Sequence, residues 1–104
     1  MVYTVRSESE IDRILASYPG LIVIDAFATW CGPCKVLAPK LEEMEREFST
    51  VRFIKVDVDE ISNFADKNDI SAMPTLLFMK KGIELARMVG IHEQNIRNMI
   101  QKHM

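Results

Sequence analysis

Cysteine is scarce in this chain, since Cys31 and Cys34 are the only two among 104 residues. A small secreted domain built on disulfides typically carries four, six or eight cysteines, so this class of protein is excluded. A bridge between these two positions would close so short a loop that the unfolded chain would lose little entropy. We therefore expect a disulfide here to be made and broken rather than to serve as a permanent link.

Histidine is equally scarce, and this bears on metal binding. A structural zinc site needs four ligands, so Cys31 and Cys34 would require two more. His92 and His103 are the only histidines, and they are widely spaced in the C-terminal part of the chain. The sequence therefore predicts neither a metal site nor a metal cofactor.

Long apolar runs and a strong charge of one sign are absent. The longest apolar stretch, residues 21–28, is interrupted by Asp25 and is shorter than the roughly 20 residues that span a bilayer. A net charge of −2 gives no reason to expect nucleic acid or a membrane as partner. The first residues lack the basic and apolar regions of a signal peptide, so we expect no export and a cytoplasmic location.

The patterns that are present predict one α/β domain over residues 1–104. Ser7 and Glu10 form a capping box before an amphipathic helix, and a second helix is expected from Pro33. Asp59 is expected to cap a short third helix, and Ile96 lies on the inner face of a fourth. The predicted strands are residues 2–5, 21–28, 51–58, 75–79 and 83–89. This order implies a mixed sheet of about five strands with helices on both faces.

The two cysteines fall where a buried strand gives way to a helix. The first turn of a helix leaves backbone N–H groups unpaired, which favours the negative charge of a thiolate. We expect the Cys31 sulfur to be exposed there as the nucleophile, and Cys34, one turn deeper, to resolve the mixed disulfide. Gly32 leaves room for an incoming disulfide, and Pro33 is tolerated in a first turn.

Residues 28–35, Ala-Thr-Trp-Cys-Gly-Pro-Cys-Lys, resemble the active site of the thioredoxin family. The resemblance extends over most of the chain, through Asp25, Ala38 and Pro39, residues 55–59, residues 71–75, residues 80–82 and residues 89–90. Ala-Thr-Trp before the first cysteine and Met-Pro in the later loop are closest to eukaryotic cytosolic members. The resemblance implies the thioredoxin fold, with a central mixed sheet of about five strands flanked by four helices.

The resemblance also implies an activity and partners. The expected function is reduction of protein disulfides, with re-reduction by thioredoxin reductase using NADPH. Expected clients are disulfide-containing proteins such as peroxiredoxins, ribonucleotide reductase and methionine sulfoxide reductase. The chain is expected to be a monomer. The sequence contains no Gly-x-Gly-x-x-Gly pattern, so nothing indicates that the chain binds NADPH or flavin itself.

Asp25 and Lys55 are isolated charges in otherwise apolar strands. A buried carboxylate costs several kcal/mol unless it is paired or protonated, and Lys55 is the only obvious partner. One interpretation is a structural ion pair. The other, supported by the resemblance, is that Asp25 lies behind Cys34 with a raised pKa, tuned by Lys55, and moves the Cys34 proton through a water.

Substrate contacts are predicted around the cysteines. The resemblance implies a cis bond between Met73 and Pro74, which would leave the Met73 backbone free to pair with an extended client segment. Beside it we expect a shallow apolar docking surface. The residues predicted to bind substrate are Trp30, Gly32, Pro33, Val58, Met73, Pro74, Val89 and Gly90.

Two other functions remain open at this point. A disulfide oxidase or isomerase would share the fold, although Gly-Pro rather than Gly-His between the cysteines and the lack of a signal peptide disfavour it. A module that binds and regulates a partner according to its redox state would share the same residues.

Overall fold

The computed structural model describes residues 1–104, which form five strands and four helices. In chain order the elements are β1 (Tyr3–Thr4), α1 (Glu8–Ser17), β2 (Ile22–Phe27), α2 (Gly32–Glu47), β3 (Arg52–Asp57), α3 (Ser62–Lys67), β4 (Thr75–Lys80), β5 (Ile83–Val89) and α4 (Glu93–His103). The element order predicted from the sequence is confirmed. None of the four helices has the length and apolar character needed to cross a membrane.

The five strands form one mixed sheet in the order β1-β3-β2-β4-β5. β2 occupies the centre, parallel to β3 and antiparallel to β4. Asp25 therefore lies in the middle strand, level with Lys55 on one side and Leu76 on the other. The mixed sheet expected from the sequence is confirmed, and the strand that leads to the cysteines is paired along both of its edges.

Apolar side chains cover both faces of the sheet, as alternation along buried strands requires. On one face Ile22 and Ile24 pack with residues of α1 and α3. On the other face Val23 packs with residues of α2 and α4. This double cover explains why the central strand is apolar on both sides, and it holds the end of β2 in place under the first turn of α2.

The N-terminal cap side chains of α1 and α2 each accept a free backbone N–H of their helix. The Ser7 hydroxyl accepts a hydrogen bond from the Glu10 N–H at 3.2 Å, as the capping box predicts. α3 is different, because its N-terminal cap residue is Ile61 and no side chain caps it. The prediction that Asp59 caps this helix is wrong, because the Asp59 carboxylate binds Trp30 instead.

Candidate active site

The cysteines lie at the junction between β2 and α2. Cys31 is the N-terminal cap residue of α2, with an extended backbone, and its N–H donates to the Ala28 carbonyl at 3.2 Å. Cys34 is buried in the first turn of the helix. Pro33 falls among the first helical residues, where a missing N–H removes no helical hydrogen bond. The local sequence therefore places one sulfur at the helix start and the other within its first turn.

The Cys31 sulfur is held by two backbone groups. It accepts the Cys34 N–H at 3.2 Å, and its thiol donates to the Met73 carbonyl at 3.5 Å. Both cysteines are free thiols, and Cys31 is only 5% exposed. The expectation of an exposed Cys31 sulfur is wrong, because the residue lies against its own helix and against the loop before β4.

Cys34 is a poor acid in the reduced protein. Burial is the main cause that raises its pKa, to about 12. A hydrogen bond with Cys31 and the charges on Cys31 and Asp25 raise it further. The two causes that involve Cys31 depend on its being a free thiol or thiolate.

Asp25 is buried without a partner. It is 1% exposed, and neither carboxylate oxygen has a hydrogen-bond partner. Burial without hydrogen bonds disfavours the charged form, and it raises the pKa of Asp25 from 3.8 to about 7. The positive charge of Lys55 opposes this shift without cancelling it. The group behind the cysteines is therefore a carboxyl that exchanges its proton near neutral pH.

Lys55 does not form the direct ion pair with Asp25 that one interpretation of the sequence required. Its ammonium lies over the Phe27 ring, with Nζ 4.3 Å from the ring centroid. The Asp25 oxygens have no hydrogen-bond partner at all. The prediction of a buried, contacting pair is wrong, because the half-buried lysine chain turns toward the aromatic ring. Its charge nevertheless acts on Asp25 across the remaining distance.

The loop before β4 closes the site from the other side. The bond between Met73 and Pro74 is cis, as predicted. The Pro74 carbonyl accepts the Gly90 N–H at 3.0 Å, which ties the loop to the end of β5. Gly90 has a φ of +101°, a conformation that side chains with a Cβ rarely adopt. Two segments distant in sequence from Cys31 thus meet beside it.

The residues predicted to bind substrate differ in how far they face solvent. Trp30 is 67% exposed and Val89 is 56% exposed. A Cβ added at Gly32 would meet no atom within 4 Å, so the approach over this residue is open. Val58 is only 8% exposed, so it can offer little contact area to a client. Of the others, Pro33 is exposed, Met73 and Gly90 are half-buried, and Pro74 is buried.

Asp59 and Phe27 make contacts at the site that were not among the predictions. The Asp59 carboxylate accepts the indole N–H of Trp30 at 2.8 Å, which orients the exposed ring. No local pattern indicates this contact between residues 29 positions apart. Phe27, two residues after Asp25 on the same strand, could have been noticed, because alternate residues of a strand share a face.

Metal ligands are not grouped in this structure. No set of three or more His, Cys, Asp or Glu side chains lies close enough together to hold a metal ion. The chemistry available at the site is that of the two thiols and the carboxyl behind them.

Comparison with known proteins matches this arrangement to one family. The thioredoxin family model matches residues 2–102. Thioredoxin-2 of Saccharomyces cerevisiae is 46% identical over 104 residues, which is all of both chains.

Solved structures give the same result. The X-ray structure of Fasciola hepatica thioredoxin superposes with a TM-score of 0.96 at 38% identity, over 99% of this chain and 100% of that one. A structure on the thiol-resolving mechanism of yeast mitochondrial 1-Cys peroxiredoxin via glutathione/thioredoxin systems contains a similar chain. It has a TM-score of 0.90 at 30% identity, over 97% of this chain and 94% of that one. The chain belongs to the thioredoxin family, whose members are protein-disulfide oxidoreductases.

Proposed function

We propose that residues 1–104 act as a single domain, a general protein-disulfide reductase in which each named side chain has a distinct role. The observation that carries the proposal is the pair of free thiols at the start of α2, joined by the hydrogen bond from the Cys34 N–H to the Cys31 sulfur. A backbone N–H aimed at a sulfur stabilises its thiolate, the form that attacks disulfides.

Reduction proceeds in two exchanges. The Cys31 thiolate attacks one sulfur of a client disulfide, forms a mixed disulfide and releases the other client sulfur, which takes up a proton. Cys34 then loses its proton and attacks the Cys31 sulfur, releasing the second client thiol. The client gains two electrons and two protons, and the carrier is left with a bond between Cys31 and Cys34.

Asp25 accepts the Cys34 proton in the second exchange. With a pKa of about 7, its carboxyl can act as a base near neutral pH. The high pKa of the Cys34 thiol partly reflects its hydrogen bond with Cys31 and the charge there. Both are lost once Cys31 is bonded to the client, which brings the two groups closer in acidity. Lys55 tunes Asp25 through its charge.

Clients dock on the surface around the cysteines. Trp30 and Val89 supply exposed apolar area, and Gly32 and Pro33 leave the approach open. The Met73 N–H makes no hydrogen bond within the chain, so it can donate to an extended client segment. Val58, Pro74 and Gly90 shape the base of this surface.

The oxidised carrier needs an outside source of electrons, because proteins of this family bind no cofactor themselves. We propose that thioredoxin reductase transfers these electrons from NADPH to the disulfide between Cys31 and Cys34. The proposed clients are peroxiredoxins, ribonucleotide reductase and methionine sulfoxide reductase. The likeness to a chain studied in the resolving mechanism of a yeast peroxiredoxin supports the first of these.

We further propose a monomer that acts in the cytoplasm. A dithiol that must be re-reduced after each turnover requires a reducing compartment. Fluorescence imaging of the tagged protein and sedimentation of the purified one test these two assignments.

Insulin disulfide reduction with NADPH and thioredoxin reductase tests the main proposal. The wild-type chain should support NADPH oxidation and insulin precipitation, and Cys31→Ser should support neither. Absence of activity with wild type would refute the proposal.

Cys34→Ser separates a carrier from a redox-dependent binding module. A carrier lacking its resolving thiol accumulates mixed disulfides with clients and stops turning over. A binding module would retain its partner without covalent adducts. If the chain were a disulfide isomerase, it would refold proteins with scrambled disulfides faster than it reduces insulin. If it were an oxidase, it would oxidise reduced proteins faster than it reduces insulin.

A further inference from the structure

The position of the Lys55 side chain is the unexpected feature of the site. Lys55 and Asp25 are register partners on neighbouring strands, and neighbouring strands lie about 4.8 Å apart. The four-carbon stem of lysine is long enough to bring an ammonium onto the carboxylate. The Asp25 oxygens nevertheless have no hydrogen-bond partner, so the ammonium lies elsewhere.

Phe27 is the group that the ammonium contacts. It lies two residues after Asp25 on β2, and Nζ of Lys55 is 4.3 Å from its ring centroid. The negative face of an aromatic ring attracts a cation at this distance. Glu42 lines the same open cavity as Lys55, but its carboxylate accepts the Val2 N–H at 2.5 Å. Lys55 forms no salt bridge with Glu42 or with any other carboxylate.

We propose that Phe27 is a positioning residue, which holds the Lys55 ammonium on its ring and off the Asp25 carboxylate. The proposal builds on the role of Asp25 as acceptor of the Cys34 proton. Phe27 itself touches neither client nor sulfur in this scheme. It acts on Asp25 only by fixing the position of the Lys55 ammonium.

The groups that face Asp25 are few, so the effect of moving one of them can be measured. Cys34 faces it from α2 and Lys55 from β3, and its partner on β4 is the apolar Leu76. Of these, only Lys55 is a cation. Releasing the ammonium toward Asp25 would favour the carboxylate and lower its titration midpoint.

The test is a pH titration of the Asp25 carboxyl carbon by NMR, in the reduced protein and in the oxidised one, where no thiol titrates. Phe27→Leu keeps an apolar side chain but removes the ring, and it should lower the midpoint by roughly half a pH unit or more. Phe27→Tyr keeps the ring, and its midpoint should stay at the wild-type value. If Phe27→Leu does not fold, Phe27→Met replaces it with the same expectation.

A second background separates positioning from packing. Lys55→Gln removes the cation and should raise the Asp25 midpoint. In that background Phe27→Leu should no longer shift it, because no ammonium remains to be released. An equal shift with and without Lys55, no shift in either background, or a shift in Phe27→Tyr as large as that in Phe27→Leu would overturn the proposal.

Activity gives an independent measurement. In Phe27→Leu the acidic limb of the pH–rate profile for insulin reduction should shift to lower pH together with the Asp25 midpoint. In Phe27→Tyr the profile should not shift. A wild-type chain without reductase activity would refute the proposed function, whereas the NMR titrations would still decide the role of Phe27.

Discussion

Replacing Asp25 by asparagine should stabilise the protein increasingly as the pH rises. The wild-type carboxyl is 1% exposed and lacks hydrogen bonds, and its pKa is raised from 3.8 to about 7. Between about pH 4 and pH 7 the native protein therefore holds a proton that the unfolded chain has released. In that window the free energy of unfolding of the wild type falls as the pH rises, because the native protein binds one more proton than the unfolded chain.

The size of the effect follows from the two pKa values. Each pH unit in the window costs the wild type about 1.4 kcal/mol, so the total from pH 4 to pH 8 is roughly 4 kcal/mol. Below the lower pKa both states are protonated, and above the higher one both are ionised, so the cost is constant outside the window. Asparagine resembles the neutral carboxyl in shape, and any cost of burying its amide is independent of pH.

Urea unfolding of wild type and Asp25→Asn, followed by circular dichroism at pH 4, 5, 6, 7 and 8, measures the difference. The stability of the variant relative to wild type should grow through this series and level off near pH 8. Asp25→Ala should show the same pH dependence with a different constant offset, because it removes the same titrating group. A difference that does not change with pH would refute the assignment of a raised pKa to Asp25, whatever its absolute size.

Three further substitutions test a side-chain contact at the site, a helix cap and a backbone conformation. Asp59→Ala removes the acceptor of the Trp30 indole N–H, so fluorescence anisotropy of this single tryptophan should fall, whereas Asp59→Asn, which keeps an oxygen, should preserve it. Ser7→Ala removes the cap of α1 and should cost about 1 kcal/mol in urea unfolding; Ser7→Asp should be nearly neutral, and an equal loss in both would contradict a capping role. Gly90→Ala forces a side chain into a φ of +101° and should cost more than about 1 kcal/mol. Gly32→Ala, where the added Cβ meets open space, is its matched control.

The elements of the fold follow from local patterns. The capping box at Ser7 predicts the start of α1, and the apolar residues on both sides of Asp25 predict a central strand. The β5 range predicted from the turn at residues 80–82 agrees with the structure, which places the strand at Ile83–Val89. These features depend on neighbours in sequence or on a simple period, so one chain suffices to predict them.

The details of the site depend on contacts between distant segments, and several predictions failed there, although the cis bond between Met73 and Pro74 was predicted correctly. Asp59 was expected to cap a helix because capping is a local rule, but a ring 29 residues away competes for its carboxylate. Cys31 was expected to be exposed because its sequence neighbours do not show that the Met73 carbonyl lies against it. The sequence places both Asp25 and Phe27 near Lys55, and only the arrangement of side chains in three dimensions shows that the ammonium contacts the Phe27 ring.

The central place of β2 has a consequence for how the site comes into being. The strand that carries Asp25 is enclosed by β3 and by β4, and both are synthesised after the cysteines. The Met73 carbonyl, which lies against the Cys31 sulfur, comes 42 residues after Cys31 in the chain. On the ribosome, therefore, the two thiols leave the exit tunnel as ordinary cysteines with a hydrated carboxylate nearby. They acquire their distinctive chemistry only when β4 inserts beside β2 and removes water from Asp25.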